Sequence, residues 1–192
     1  MSTPYWVGID LGSTTTKAVV LDEHRHVLGR GITNSRSNYD VACAVALGEA
    51  LNNARFDLLA SRLESAGVEA GAAEAMLRVF ELRFRERQYL RQLESLHARL
   101  RHHASRLADG RAASEAVETM LGTMRGESRA LFAVTAQRKS DFFRDLAGSR
   151  YLELAEGLAR DGDAAFDALV GLYDKAILEV ENETEAVGTF ED

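Results

Sequence analysis

The sequence predicts an α/β chain in which a β-β-β-α unit is followed by a long all-α helical hairpin or bundle. Three observations carry that expectation. Two short apolar runs, Val7–Leu11 and Lys17–Leu21, flank Gly12-Ser13-Thr14-Thr15, and a tip of glycine and small hydroxyls between two such runs reads as a β-hairpin. From Tyr39 to Ser65, Val41, Val45, Leu47, Leu51, Leu58 and Leu59 recur mostly at helical spacing. From Gly67 to Gly162 strand-like alternation almost vanishes, and Leu93, Leu96, Leu100, His103 and Leu107 follow one another by 3, 4, 3 and 4 residues, a short coiled-coil-like seam.

Taken in order, His26–Thr33 reads as a third strand, paired to the second through a turn at Asp22–Arg25. The polar stretch 34–38 is a loop in which Asn38 or Asp40 can cap the helix that follows. Residues 72–107 read as one long helix broken at Asp109-Gly110. Further helices are expected over 112–124, 128–147 and 150–159, separated by Gly126, Gly148 and Gly162, and a last one over 164–183 with Phe166, Leu169, Val170, Tyr173, Ile177 and Val180 on one face. The only proline is Pro4, so no proline interrupts these helices. The expected organisation is two parts, 1–66 and 67–192.

The chemistry lies in the first hairpin. Gly12 leaves room for the backbone to approach an anion, and successive N–H groups in a tight turn make a concave anion site. Ser13, Thr14, Thr15 and Thr16 add hydroxyls, and Lys17 adds a point charge able to reach a terminal phosphate. Asp10, at the end of the first strand, suits Mg²⁺, an ion that binds through one or two carboxylates and keeps most of its waters. The nucleotide loop G-x-x-x-x-G-K-[ST] is excluded: Thr16 rather than glycine precedes Lys17, and a strand rather than a helix follows.

The segment GIDLGSTTTKAVVLDEHRHVLGRG resembles the first phosphate loop of the actin, sugar kinase and heat-shock ATPase superfamily. Within it, the segment is most similar to the ATPase subunits of the benzoyl-CoA reductase and 2-hydroxyacyl-CoA dehydratase activator family. The resemblance covers about the first 55 residues, and Lys17 after the hydroxyl run is its most discriminating feature. It implies a partial ribonuclease H-like subdomain and an ATP-handling subunit that moves low-potential electrons from ferredoxin, through a [4Fe-4S] cluster shared between two subunits, towards an aromatic acyl-CoA ring. It implies ATP and Mg²⁺ as ligands, with Asp10 and Lys17 as catalytic residues, Asp10 as the metal-side acid, and Gly12 to Thr16 as the phosphate cradle. A second ATPase-type subunit, reductase subunits and ferredoxin are the implied partners. The second phosphate loop, second acid and adenosine pocket that such hydrolysis needs are not recognisable after residue 65. The expectation is therefore a piece of a longer polypeptide, or a small subunit that borrows its second lobe. A small-metabolite kinase and a non-catalytic helical docking module are the alternatives.

Composition narrows the rest. At 46% hydrophobic and 28% charged the chain can bury a core, and a net charge of −7 argues against a dedicated nucleic-acid binder. Met1-Ser2-Thr3-Pro4 leads straight into a strand and no apolar run suits a membrane span, so a cytoplasmic location is expected. Cys43 is the one cysteine, which rules out an intrachain disulfide and reads as a small buried hydrophobe. Arg78–Arg111 holds nine arginines against four acids, while Tyr151–Asp192 holds twelve acids against Arg160 and Lys175. These segments can attract each other or steer opposite partners, or simply be solvated faces. His97, His102 and His103 read as surface histidines on a basic helix rather than metal ligands.

Overall fold

The computed structural model describes residues 4–35, 38–161 and 165–183. These divide into two compact units, with the boundary between Phe84 and Arg85.

In the first unit, β1 (Trp6–Leu11), β2 (Thr15–Leu21) and β3 (Val27–Asn34) form an antiparallel sheet in that order. Asp10 stands opposite Lys17, and Lys17 opposite Ile32. Side chains alternate across a pleated strand, so Thr16, Ala18 and Val20 of β2 share a face with Gly29, Gly31 and Thr33 of β3, all of them buried. Helix α1 (Tyr39–Ser65) lies on that face. Its start is fixed by Asn38, whose side chain accepts from the N–H groups of Asp40 and Val41 at 3.1 and 3.4 Å.

Of the face that helical spacing suggests, Val45 is buried and Leu51 packs against the core of this unit, but most of what α1 buries is alanine. Ala42, Ala46, Ala50 and Ala54 are buried, whereas Leu58 and Leu59 are exposed. The cause is the bareness of β3: a Cβ built on Gly31 would lie 2.0 Å from the Ala46 carbonyl oxygen, and one on Gly29 would lie 2.2 Å from that of Ala50. Helix and strand meet backbone to backbone, which only small residues on both sides allow. Because α1 sits over β2 and β3, every residue of β1 is left exposed, including Trp6, Val7, Ile9 and Leu11. The first turns of α2 (Ala70–Ala104) complete the unit. The Phe56 ring packs edge-on to Phe80 and Phe84 at 5.6 Å from each.

The second unit is helical: the rest of α2, α3 (Gly110–Leu131), α4 (Phe143–Asp161) and α5 (Phe166–Glu181). The predicted seam is real over Leu93, Leu96 and Leu100, each fully buried, but it stops at Ala104, and Leu107 is exposed beyond the helix end. Asp109-Gly110 begins α3 rather than merely ending α2. Gly126 and Gly148, expected as breaks, lie inside α3 and α4. At Gly148 a Cβ would meet the Tyr173 hydroxyl at 2.8 Å, and that hydroxyl donates to the Arg144 carbonyl at 3.1 Å, so the glycine there makes room for α5. The true break falls over 132–142, where the Ser140 hydroxyl accepts from the Phe142 N–H at 3.1 Å and donates to Asp145 at 2.7 Å, opening α4. Tyr151, fully buried, donates to the Leu169 carbonyl at 3.1 Å and packs on Tyr173 at 4.8 Å between ring centres.

Charge is used between helices. Arg99 pairs with Glu183 at 2.6 Å and with Glu179 at 3.6 Å, and His103 Nε2 lies 2.8 Å from Glu179, so part of the basic stretch of α2 does engage the acidic C-terminal stretch. His97 and His103 are mostly buried rather than surface residues, and His97 Nε2 lies 3.0 Å from Glu118 although off the line of a hydrogen bond. Arg150 grips Glu127 through two bonds, of 2.8 and 2.6 Å, tying α4 to α3. That grip holds the Glu127 carboxyl below its ordinary value, chiefly through the hydrogen bond from Arg150. A depressed carboxyl stabilises the fold above its unfolded value, about 4.3, and the contribution is lost as pH falls through the lower folded value. Glu127→Gln is expected to cost no more than about 1 kcal/mol at neutral pH, the pair being partly solvated. The gap in melting temperature between the variant and the unaltered protein should close as pH is lowered from about 6 to about 3. A gap that widens on acidification would contradict the assignment.

Candidate phosphate site

Asp10 and Lys17 are cross-strand neighbours on the sheet face opposite α1. Both are exposed, and among the described residues neither is held by another side chain. Their row continues to Ile32 on β3, also exposed. A carboxylate and an ammonium thus stand side by side at the end of the hairpin, free to meet a ligand.

The loop beyond them is tight. The Gly12 N–H donates to the Thr15 carbonyl at 3.1 Å. A Cβ on Gly12 would lie 2.7 Å from that same carbonyl oxygen, so closure of the turn itself demands glycine. Ser13 and Thr14 are exposed, Thr15 is half-buried, and Thr16 is fully buried. The five residues of the expected cradle are therefore not equivalent: Ser13 and Thr14 face solvent, while the Thr16 hydroxyl turns inward and lies 3.2 Å from the Ser35 hydroxyl.

Ser35, which sequence reading leaves in an undistinguished polar loop, is the residue the loop is built against. Its hydroxyl donates to the Gly12 carbonyl at 2.6 Å, and its backbone N–H donates to the Thr14 carbonyl at 2.8 Å. The available signal is the length of β3: a third strand that pairs with β2 as far as Asn34 opposite Thr15 must deliver the next residue to the tip.

The metal question divides in two. Among the described residues no group of three or more His, Cys, Asp or Glu side chains is placed to hold a metal ion. Mg²⁺ carried in with a nucleotide does not need one, since a single carboxylate and the phosphate oxygens suffice, and exposed Asp10 fits that demand. An iron–sulfur cluster held by four thiolates does not fit this chain, whose single cysteine, Cys43, is half-buried on α1.

A hairpin tipped with glycine and hydroxyls, followed by a third strand and a covering helix, fits the opening expected of an ATPase subdomain, and comparison with known families places the chain in an ATPase family. Residues 7–138 match the BadF/BadG/BcrA/BcrD ATPase family, a span that runs from β1 past the end of α3. The chain belongs to that family. No curated protein and no solved structure matches it significantly. Among the described residues, no helix is long and apolar enough to cross a membrane.

Proposed function

We propose that the chain is the ATP-binding and hydrolysing subunit, or the N-terminal part of one, that couples ATP hydrolysis to low-potential electron transfer in an aromatic acyl-CoA reductase of the benzoyl-CoA type. Membership of an ATPase family supports the nucleotide. The observation that carries the site is the exposed Asp10–Lys17 pair beside the glycine-hydroxyl loop.

In this reading the backbone N–H groups and hydroxyls of Ser13 to Thr15 hold the β- and γ-phosphates, while the Gly12 N–H, given to the Thr15 carbonyl, closes the turn. Asp10 orients the metal-bound waters, and Lys17 lends positive charge to the phosphoryl group as it leaves. Mg²⁺, arriving with ATP, supplies charge neutralisation across the phosphate oxygens. Thr16 supports the loop from beneath rather than touching the ligand, in line with its burial. The second wall of the nucleotide cleft comes from a second ATPase-type lobe or subunit. Such a partner would cover β1, whose six residues are all exposed. The four cluster thiolates lie outside this chain, and ferredoxin is the electron donor.

The test is turnover of Mg-ATP by the chain together with its reductase subunits and reduced ferredoxin. Phosphate release to water, dependent on Mg²⁺ and matched by ferredoxin oxidation, is the expected result. Transfer of phosphate to an added small-molecule acceptor would instead make the protein a kinase. A calorimetric titration with no heat from Mg-ATP, partner subunits present, would leave a helical docking module.

A further inference from the structure

We propose that Ser35 is a positioning residue that sets the phosphate loop in its binding conformation, an inference resting on the phosphate-binding role of residues 13–15 proposed above. Ser35 uses both of its donors on the loop, the hydroxyl on the Gly12 carbonyl at 2.6 Å and the N–H on the Thr14 carbonyl at 2.8 Å. A serine hydroxyl has one proton. With that proton given to Gly12, the contact at 3.2 Å between Ser35 and Thr16 is one in which Thr16 donates. The result is a relay, Thr16 to Ser35 to Gly12, anchored by a threonine that is fully buried.

The geometry has a direct consequence for the ligand. In a planar trans peptide the C=O and N–H point in opposite directions. Drawing the Gly12 carbonyl towards Ser35 therefore turns the Ser13 N–H away from β3, and drawing the Thr14 carbonyl there does the same to the Thr15 N–H. Ser35 touches no phosphate. It consumes the two loop carbonyls that would otherwise be free to turn towards an anion and repel it, and leaves donors in their place. A loop without this tie samples both orientations of each peptide, and only one of them binds.

Three variants of the full chain, assembled with its partner subunits, test this, with hydrogen exchange across residues 12–16 measured in the absence of nucleotide and affinity measured for Mg-ATP and for adenosine. Ser35→Ala is expected to speed exchange of the Gly12 N–H, the loop donor held by the Thr15 carbonyl, about tenfold and to weaken Mg-ATP about tenfold, the effect of one hydrogen bond, while adenosine binding is unchanged. Ser35→Thr, which keeps the hydroxyl, should restore both. Thr16→Val leaves Ser35 in place and removes only the group that donates to it; a smaller change in the same direction is expected. Exchange at 12–16 unaltered in Ser35→Ala overturns the inference, and so does equal impairment of the alanine and threonine variants. If the unaltered protein with its partner subunits binds no Mg-ATP, the proposed function fails, and the exchange comparison still decides whether Ser35 holds the loop.

Discussion

Asp10→Ala is expected to lower Mg-dependent ATP turnover of the assembled enzyme by roughly three orders of magnitude, the scale seen when a preorganised electrostatic contact to a reacting centre is deleted. The side chain is the one carboxylate on the hairpin's exposed row with Lys17. No other acid from β1 or β2 stands there to replace it. The substitution should leave folding nearly untouched, within about 0.5 kcal/mol, because Asp10 is exposed and holds no partner among the described residues. The measurement is phosphate release over a Mg²⁺ titration, with a melting curve alongside. Turnover equal to that of the unaltered protein would remove Asp10 from the mechanism. A collapse of the melting temperature would mean that the residue is structural.

The largest effect on stability is expected at Gly31. Replacing it with valine puts a Cβ within 2.0 Å of the Ala46 carbonyl oxygen and 2.6 Å of the Ala50 N–H nitrogen, both of them backbone atoms that cannot rotate aside. Helix α1 must lift off the sheet, and with it goes the burial of Ala46 and Ala50, neither of which is accessible at all. Overpacking of this kind costs about 3 kcal/mol, and more where backbone is the obstacle. Gly48, in the middle of α1, is the contrast, since a Cβ there would meet nothing within 4 Å. Gly48→Ala should raise stability by about 0.5–1 kcal/mol through helix propensity alone. Thermal unfolding followed by circular dichroism checks both; a Gly31→Val protein that melts with the parent would refute the close contact between α1 and β3.

Much of the first unit is readable because its signals are local. The hairpin announces itself by the glycine and hydroxyls at its tip, and α1 begins at Tyr39 and ends at Ser65 as expected because Asn38 caps one end and Gly67, with a φ of 78°, lies just past the other. What the helix buries is not readable in the same way. Leucines dominate any pattern of hydrophobicity, but the distance between α1 and β3 is set by Gly29 and Gly31, and a helix that close presents mainly alanine, with Val45 and Leu51 beside it. The same reasoning explains Gly148, which sequence alone makes a helix break and three dimensions make the seat of Tyr173. The break at 132–142 carries neither glycine nor proline and so gives no warning.

The site shows a similar division. The residue types of Asp10, Gly12 and Lys17 and their spacing are enough to suggest phosphate chemistry. That Thr16 points inward follows from strand alternation, but only once the covered face is known. Ser35 is signalled only through the length of β3, because it acts on Gly12 from 23 positions away through bonds that no local pattern encodes.

The exposed sheet face that bears Asp10 also bears Trp6, since the two are four residues apart on one strand. Trp6 is the sole indole of the chain and is 65% exposed. Its fluorescence therefore has one source, located on the same side of the sheet as the candidate site. Any molecule that settles over that side and strips water from the ring moves the emission to shorter wavelength, so the protein carries a built-in optical probe of what lands beside its acid and its lysine.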